Sequence, residues 1–290
     1  MDDVDVTQRD EEMASKEHIE QVKKKFIASW SGGKDSTYMV DELLRRGDPL
    51  DEVVFCDTGW EFPEMYDYIE QCKAYWENSY PGLVITLLNW KTAHTIPNHM
   101  RKELSKGDNA GKKRGFPFPI GVGWCTARFK IDPTKKYWSE KYKDFKVYEY
   151  IGIAADEPKR IPDGWENGTK LYPLVEWNIS EPQVNPILID RGLFNPLYNH
   201  FSRTGCWACP KQGFKKLAVL KRNYPTLWSE LQNLEDEFNG LEPYSFASKK
   251  TQPYLFKGVG LEVINKKVDV INSTAEFDFD DDEPIGCFCK

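Results

Sequence analysis

The residues with the most chemistry in this chain stand together in SWSGGKDST, Ser29 to Thr37, between the apolar run KFIA and the helix-like YMVDELLRR. Gly32 and Gly33 let the backbone turn tightly and bring its N–H groups up to an anion. Ser31, Ser36 and Thr37 add hydroxyl donors, and a helix starting there contributes its positive end. A phosphate is the natural guest of such a loop. Lys34 would neutralise its charge, while Asp35 either holds a metal ion or orients Lys34. The spacing is not Walker A, which needs four residues between its glycine and the Gly-Lys pair. A Gly-Gly turn capping an ordinary helix gives a similar string, and the strand in front of it weighs against that plainer alternative.

A second set is Cys206 and Cys209 in GCWACP, a spacing that lets two thiolates reach one metal and makes half a site. Seven cysteines, unevenly spread in a chain too large to need staples, favour metal or redox chemistry over a disulfide framework. Cys56 and Cys72 fall in a strand and a helix and read as core. The four histidines show no ligand spacing.

The elements that must hold these residues are legible around them. KKFIASW, LDEVVFCDT and GLVITLLNW read as short strands, with helices over Thr37–Arg46 and Phe62–Tyr75 between them. A fourth run, KVYEYIGIAA, follows the helix-like PTKKYWSEKY, and its near-continuous apolar character suits a strand buried on both faces. The alternation predicts an α/β fold, a doubly wound and mostly parallel sheet, with the loop at the carboxyl end of the first strand, where such sheets bind ligands. Residues 1–22 read as a mobile acidic segment, 23–178 as the nucleotide-binding domain, and 179–290 as an α-rich, cysteine-bearing subdomain with an acidic tail. Between Lys91 and Gly123 lies a basic segment rich in Gly and Pro, longer than most connections.

Composition sets the outer limits. The chain has 290 residues, 40% of them apolar, and a formal charge of −7 with acidic residues at both ends and basic ones between Lys91 and Lys143. No apolar run approaches the roughly 20 residues of a membrane helix, and the acidic N-terminus is unlike a secretory signal. The expectation is a cytoplasmic protein without a membrane role.

SGGKDS resembles, letter for letter, the loop of the PP-loop ATP pyrophosphatases, the adenine nucleotide alpha hydrolase-like superfamily. CDTGWEFPEMYDYI resembles the second-strand segment of its phosphoadenosine phosphosulfate (PAPS) reductase-like family. The resemblance continues through IGIAADEPKRIP, YPLVEWNISE and FNPLYNHFSRTGCWACP, over about residues 25 to 215. It implies an ATP and Mg²⁺ site made by Ser31, Gly32, Gly33, Lys34, Asp35, Ser36 and Thr37, with Asp57 and Thr58 gripping the nucleotide; a satisfied helix cap is the alternative for that pair. Where the family tends to show Gly-Ile-Arg this chain has Ala154, leaving Arg160 and Lys159 as candidates for the phosphate contact. Lys34, Asp35 and Arg160 are the expected catalytic set.

Cys125, in GVGWCTARFKIDP, stands where reductase-like relatives reach towards the Cys-x-x-Cys pair, and the terminal GCFC supplies Cys287 and Cys289. The resemblance favours a [4Fe–4S] cluster on these thiolates, with zinc as the alternative and a plain buried thiol pair as the third reading. Adjacent cysteines are replaced here by Trp124-Cys125, and the reductases' terminal Glu-Cys-Gly-Leu-His segment is absent, while the phosphate loop is intact. The expected activity is therefore ATP cleavage between the α and β phosphates to adenylate an acceptor, linked to sulfur transfer. The alternatives are a sulfonucleotide reductase, with Cys287 or Cys289 as the attacking thiol, or a non-catalytic nucleotide-binding subunit. Expected partners are an adenine nucleotide, a nucleic acid meeting Lys112-Lys113-Arg114 or a small-molecule acceptor, a protein delivering sulfur or electrons, and a second copy in a homodimer.

Overall fold

Five of the chain's short apolar runs lie side by side in one sheet. The computed structural model describes residues 23–107, 110–116, 124–239, 256 and 259–274. Strands β1 (Lys24–Trp30), β2 (Glu52–Cys56), β3 (Val84–Leu88), β4 (Lys146–Ile151) and β5 (Lys170–Leu171) are ordered β3-β2-β1-β4-β5, and every pairing is parallel. β1, which carries the phosphate loop, is therefore central, and the order reverses beside it. This is the α/β parallel sheet that the alternation of runs implies.

The helices on the two faces are set by residue alternation along β1. Trp30 faces α1 (Lys34–Arg46) and α2 (Pro63–Ser79): its indole donates to Thr37 and lies edge-on to Trp76, with ring centroids 5.0 Å apart. Ser29 points the other way, towards the cavity that Trp138 of α4 (Asp132–Lys141) also lines. α1 starts three residues earlier than the sequence suggests, at Lys34, and ends at Gly47, whose φ of 69° lets the chain leave the helix. α2 runs one turn longer than expected, to Ser79.

β4 departs from expectation. Only Tyr150 in it is buried, at 7% exposure, because its outer neighbour β5 contributes just two residues, and Phe26 and Tyr148 stack at 5.2 Å on the face left open. The basic connection after β3 contains a short helix, α3 (Ile96–Arg101), and a bridge between Glu103 and Lys113. Beyond the sheet come α5 (Glu181–Asp190), α6 (Phe214–Asn223), α7 (Pro225–Asn239) and α8 (Leu261–Ser273), so the carboxyl-terminal region is helical. The acidic ends, residues 1–22 and the GCFC tail, lie outside the described residues. No helix among the described residues is long and apolar enough to cross a membrane.

Two buried carboxylates tie helices to this frame. Asp41 of α1 is fully buried and accepts from Arg45 (2.7 Å), Arg191 (2.8 Å) and the Trp76 indole (3.2 Å), joining α1, α2 and the end of α5. Glu52 opens β2 and is also fully buried. It accepts from Tyr137 (2.7 Å), Lys141 (3.0 Å) and Tyr142 (2.5 Å) at the end of α4, and from Thr86 of β3. Burial pushes its pKa up, but the bonds from Thr86, Tyr142, Tyr137 and Lys141 outweigh burial and hold the carboxyl below the usual range. A depressed carboxyl stabilises the fold above its unfolded pKa and stops doing so as pH falls through its folded value. Glu52→Ala strands three donors of α4 and should cost about 3 kcal/mol in urea unfolding at pH 7. The loss should shrink as the titration is moved towards pH 3.

Candidate active site

The strand-to-helix turn after β1 is shaped by close approaches that only glycine permits. Gly32 has a φ of 72°, and a Cβ on it would stand 2.5 Å from the Met65 sulfur. Its carbonyl accepts from the Asn195 side-chain amide at 2.9 Å, which draws the turn at Pro196–Asn199 against the loop. Gly152, just past β4, is tighter still, since a Cβ there would lie 2.7 Å from the Cα of Ser36 and 2.8 Å from its nitrogen. The end of β4 thus rests on the first turn of α1.

Within the loop the serines hold one another. The Ser31 amide donates to Ser36 Oγ at 3.2 Å, the two hydroxyls are 3.0 Å apart, and Ser36 Oγ donates to the Gly33 carbonyl at 3.0 Å. Gly33 is the N-cap of α1 and supplies no side-chain cap, so the helix dipole is left facing the space in front of it. The Lys34 amide donates to the hydroxyl of Tyr198 at 2.8 Å, and that hydroxyl lies 3.3 Å from Thr204 Oγ1.

That space is a cavity of about 230 Å³, lined by Ser31, Gly33, Lys34, Asp35 and Ser36 from the loop, Gly152, Arg160, Glu181 and Tyr198, and by Ser202, Arg203 and Thr204. The Lys34 ammonium bonds Glu181 at 2.5 Å and lies 5.2 Å from the centre of the Tyr198 ring. At the mouth, Arg160 and Arg203 bind the two oxygens of Glu157. Asp35 Oδ1 is buried without a hydrogen-bond partner. Burial pushes the Asp35 carboxyl up to about 6, with Lys34 pulling down and Glu181 and Glu157 adding to the rise. An orphaned carboxylate oxygen beside a phosphate-sized space fits a divalent cation such as Mg²⁺.

Ser31 also borders a larger cavity of about 360 Å³ between the sheet and α4, lined among others by Ser29, Val54, Cys56, Glu61, Lys130, Trp138 and Glu149. Its apolar walls with a few convergent polar groups suit a nucleoside beside the polar phosphate cavity.

Asp57, Thr58 and Thr37 do not face either space. Asp57 is 2% exposed and accepts from the Gly59 amide (2.7 Å), Tyr66 (3.0 Å) and the Lys91 amide (3.0 Å). Thr58 donates to Glu61 at 2.8 Å, and the Thr37 hydroxyl is taken by Trp30 and Tyr68. Their bonding capacity is spent inside the fold. Ala154 is fully buried, and Lys159 does not line the phosphate cavity while Arg160 does.

The cysteine turn is pinned to the same region. The Trp207 amide donates to the Trp60 carbonyl at 2.9 Å, and Gln212 donates to the carbonyls of Cys206 and Trp207 at 3.0 and 2.7 Å. Cys206 Sγ is 3.3 Å from Thr58 Oγ1 and 4.0 Å from Glu61 Oε1. Burial pushes the Cys206 thiol up, Glu61 pushes it further and Lys130 opposes both. Cys209 is also pushed up by burial, and Cys125 is close enough for its charge to add to that rise. Desolvation disfavours the Lys130 charge, but the opposite charges of Cys206, Glu61, Cys209 and Cys56 raise its pKa overall. Among the described residues no three His, Cys, Asp or Glu side chains converge on a common point, and Cys287 and Cys289 lie outside them. The donors Cys125, Cys206 and Cys209 fit a thiolate-bound metal or cluster in type. Cys72 is core, whereas Cys56 lines the larger cavity.

Comparison with known proteins agrees with the loop. Residues 25–97 match the family described as the phosphoadenosine phosphosulfate reductase domain. An uncharacterized protein of Methanocaldococcus jannaschii is 28% identical over 235 residues, 77% of this chain and 44% of that one. The adenosine 5'-phosphosulfate reductase of Deinococcus radiodurans is 27% identical over 164 residues, 55% of this chain and 56% of its own length. The chain thus spans about half the length of these curated relatives. Among solved structures, the U34-tRNA thiolase NcsA from Methanococcus maripaludis with its [4Fe–4S] cluster aligns with a TM-score of 0.38 at 14% identity, over 84% of this chain and 83% of that one.

Sequence reasoning missed Gly152, Glu181, Tyr198, Arg203 and Thr204. The polar run Ser202-Arg203-Thr204 before the cysteine turn was the available signal. Gly152→Ala should drive the end of β4 off the loop and weaken nucleotide binding at least tenfold, measured by titration with a fluorescent ATP analogue.

Proposed function

We propose that this chain binds ATP with Mg²⁺ across the two cavities and cleaves it between the α and β phosphates, transferring AMP to an acceptor oxygen. The observation that carries this reading is the N-terminus of α1, without a side-chain cap from Gly33, behind an intact Ser-Gly-Gly-Lys-Asp-Ser loop, with Lys34 and Asp35 lining the same space and one Asp35 oxygen buried without a partner. The loop amides and Lys34 hold the phosphates, and Arg160 at the mouth meets charge that builds on the departing pyrophosphate. Asp35 is placed to hold the cation, which when bound would draw electron density from the phosphate oxygens. Lys34 must leave Glu181 for phosphate, so Glu181 is freed as the nucleotide enters. The P–O bond between α and β phosphates breaks with its electrons going to pyrophosphate, as the acceptor oxygen bonds to the α phosphorus.

The thiols beside the nucleoside cavity support a link to sulfur transfer, in which a sulfur nucleophile displaces AMP from the activated acceptor. Cys125, Cys206 and Cys209 would hold the [4Fe–4S] cluster or zinc, with Cys287 or Cys289 as the further ligand. A polyanionic acceptor, including a nucleic acid, is favoured by the basic groups around His99. Arg114, Lys102, Arg128 and His94 all act on His99 and, together with burial, depress its pKa to about 4. A second reading, sulfonucleotide reduction, draws on the family match at residues 25–97. It requires sulfite release without ATP consumption.

The test is anaerobic incubation with labelled ATP, Mg²⁺ and candidate acceptors. AMP and pyrophosphate should appear in equal amounts, and Lys34→Ala should lower the rate by a hundredfold or more. Sulfite from a sulfonucleotide in the same assay, with no pyrophosphate from ATP, would replace this reading by the reductase. Cys206→Ser with Cys209→Ser should remove most bound iron or zinc, read by metal analysis, while leaving ATP binding within about threefold.

A further inference from the structure

The phosphate cavity presents one cation that neither the loop nor the expected family contacts explain. Ala154, two residues past Gly152, is fully buried and carries no charge. Arg203 enters the same cavity from a remote segment, between Phe201 and the cysteine turn. Its Nη2 bonds Oε1 of Glu157, while Nη1 of Arg160 bonds Oε2 of the same carboxylate. One mostly buried carboxylate therefore holds two guanidinium groups that line the same cavity as Lys34.

We propose that Arg203 is a phosphate-binding residue of this cavity, the second guanidinium of a clamp whose first is Arg160, with Glu157 as the positioning residue that holds both. The proposal rests on the ATP reading and extends it to a residue outside the phosphate loop. Each guanidinium has five N–H donors in a planar fork, so bonding Glu157 leaves donors on both arginines for a polyphosphate. The two arginine side chains are 50% and 59% exposed while Glu157 is 13% exposed, so the carboxylate anchors both and the outer donors of each fork stay open to a ligand. Lys34, Arg160 and Arg203 together suit a di- or triphosphate better than a single anionic group.

The position of Arg203 has a further consequence. Tyr198 and Thr204 contact the loop from the same segment, and Cys206 follows three residues after Arg203. A phosphate held by Arg203 is thereby tied through a few backbone bonds to the thiol turn, so occupancy of one site bears on the geometry of the other.

The experiment uses the wild-type chain. A dicarbonyl reagent that labels arginine is applied with and without MgATP, and the modified residues are quantified by mass spectrometry. MgATP should cut labelling of both Arg203 and Arg160 at least fivefold, and adenosine should protect neither. Protection of Arg160 alone overturns the assignment of Arg203. Protection of neither, with Lys34→Ala binding ATP as tightly as the wild type, overturns the nucleotide reading and the assignment with it.

Variants supply the second measurement. Arg203→Ala should lower kcat/KM for pyrophosphate release about a hundredfold, and Arg203→Lys, which keeps the charge and loses the fork, about tenfold. Bound metal should be unchanged in both, which separates lost phosphate contact from a collapsed thiol turn. A loss below tenfold in Arg203→Ala overturns the proposal.

Discussion

The backbone of Gly152 against the first turn of α1 is the contact on which the site depends. With no Cβ at 152, the end of β4 lies within van der Waals reach of Ser36, and the segment that follows it delivers Glu157 and Arg160 to the mouth of the phosphate cavity. Any side chain at 152 would separate these parts. The parallel pairing of β4 with β1 fixes the direction of approach, and the buried bonds of Asp41 and Glu52 hold helices against both faces of the sheet.

Charge in the phosphate cavity is balanced from within. Lys34 is met by Glu181, and Arg160 and Arg203 by Glu157, so the cations are held in place without an anionic ligand. The carboxylates keep the cations from repelling one another. The Asp35 oxygen has no such partner, and its burial beside Glu181 and Glu157 pushes its pKa upward.

The polar and thiol chemistries are joined by one stretch of chain. Asn195 holds the loop carbonyl, Tyr198 receives the Lys34 amide, and Arg203 and Thr204 face the phosphate cavity before the chain turns at Cys206 and Cys209. Trp207, packed against Trp60, fixes the turn beside Thr58 and Glu61. Glu61 and Lys130 in turn line the larger cavity, and Cys206 Sγ lies 4.0 Å from Glu61 Oε1.

The sequence by itself determined the strand-loop-helix unit at residues 24–46, the alternation of strands and helices that makes a parallel sheet, and the two-residue gap between Cys206 and Cys209. Each is local, set by glycine, by hydrophobic period or by a two-residue gap, and needs no distant partner to be read. The bonds of Asp57 and Thr58 to Gly59, Trp60 and Glu61 are local, but only the tertiary structure set the Tyr66 hydroxyl and the Lys91 amide on Asp57, because those donors come together only when the chain folds. It alone brought Arg203, Glu181 and Tyr198 to a loop more than 140 residues before them, since such contacts leave no spacing in the sequence. Side-chain chemistry is written in the chain, but which groups are free to use it depends on what the fold sets against them.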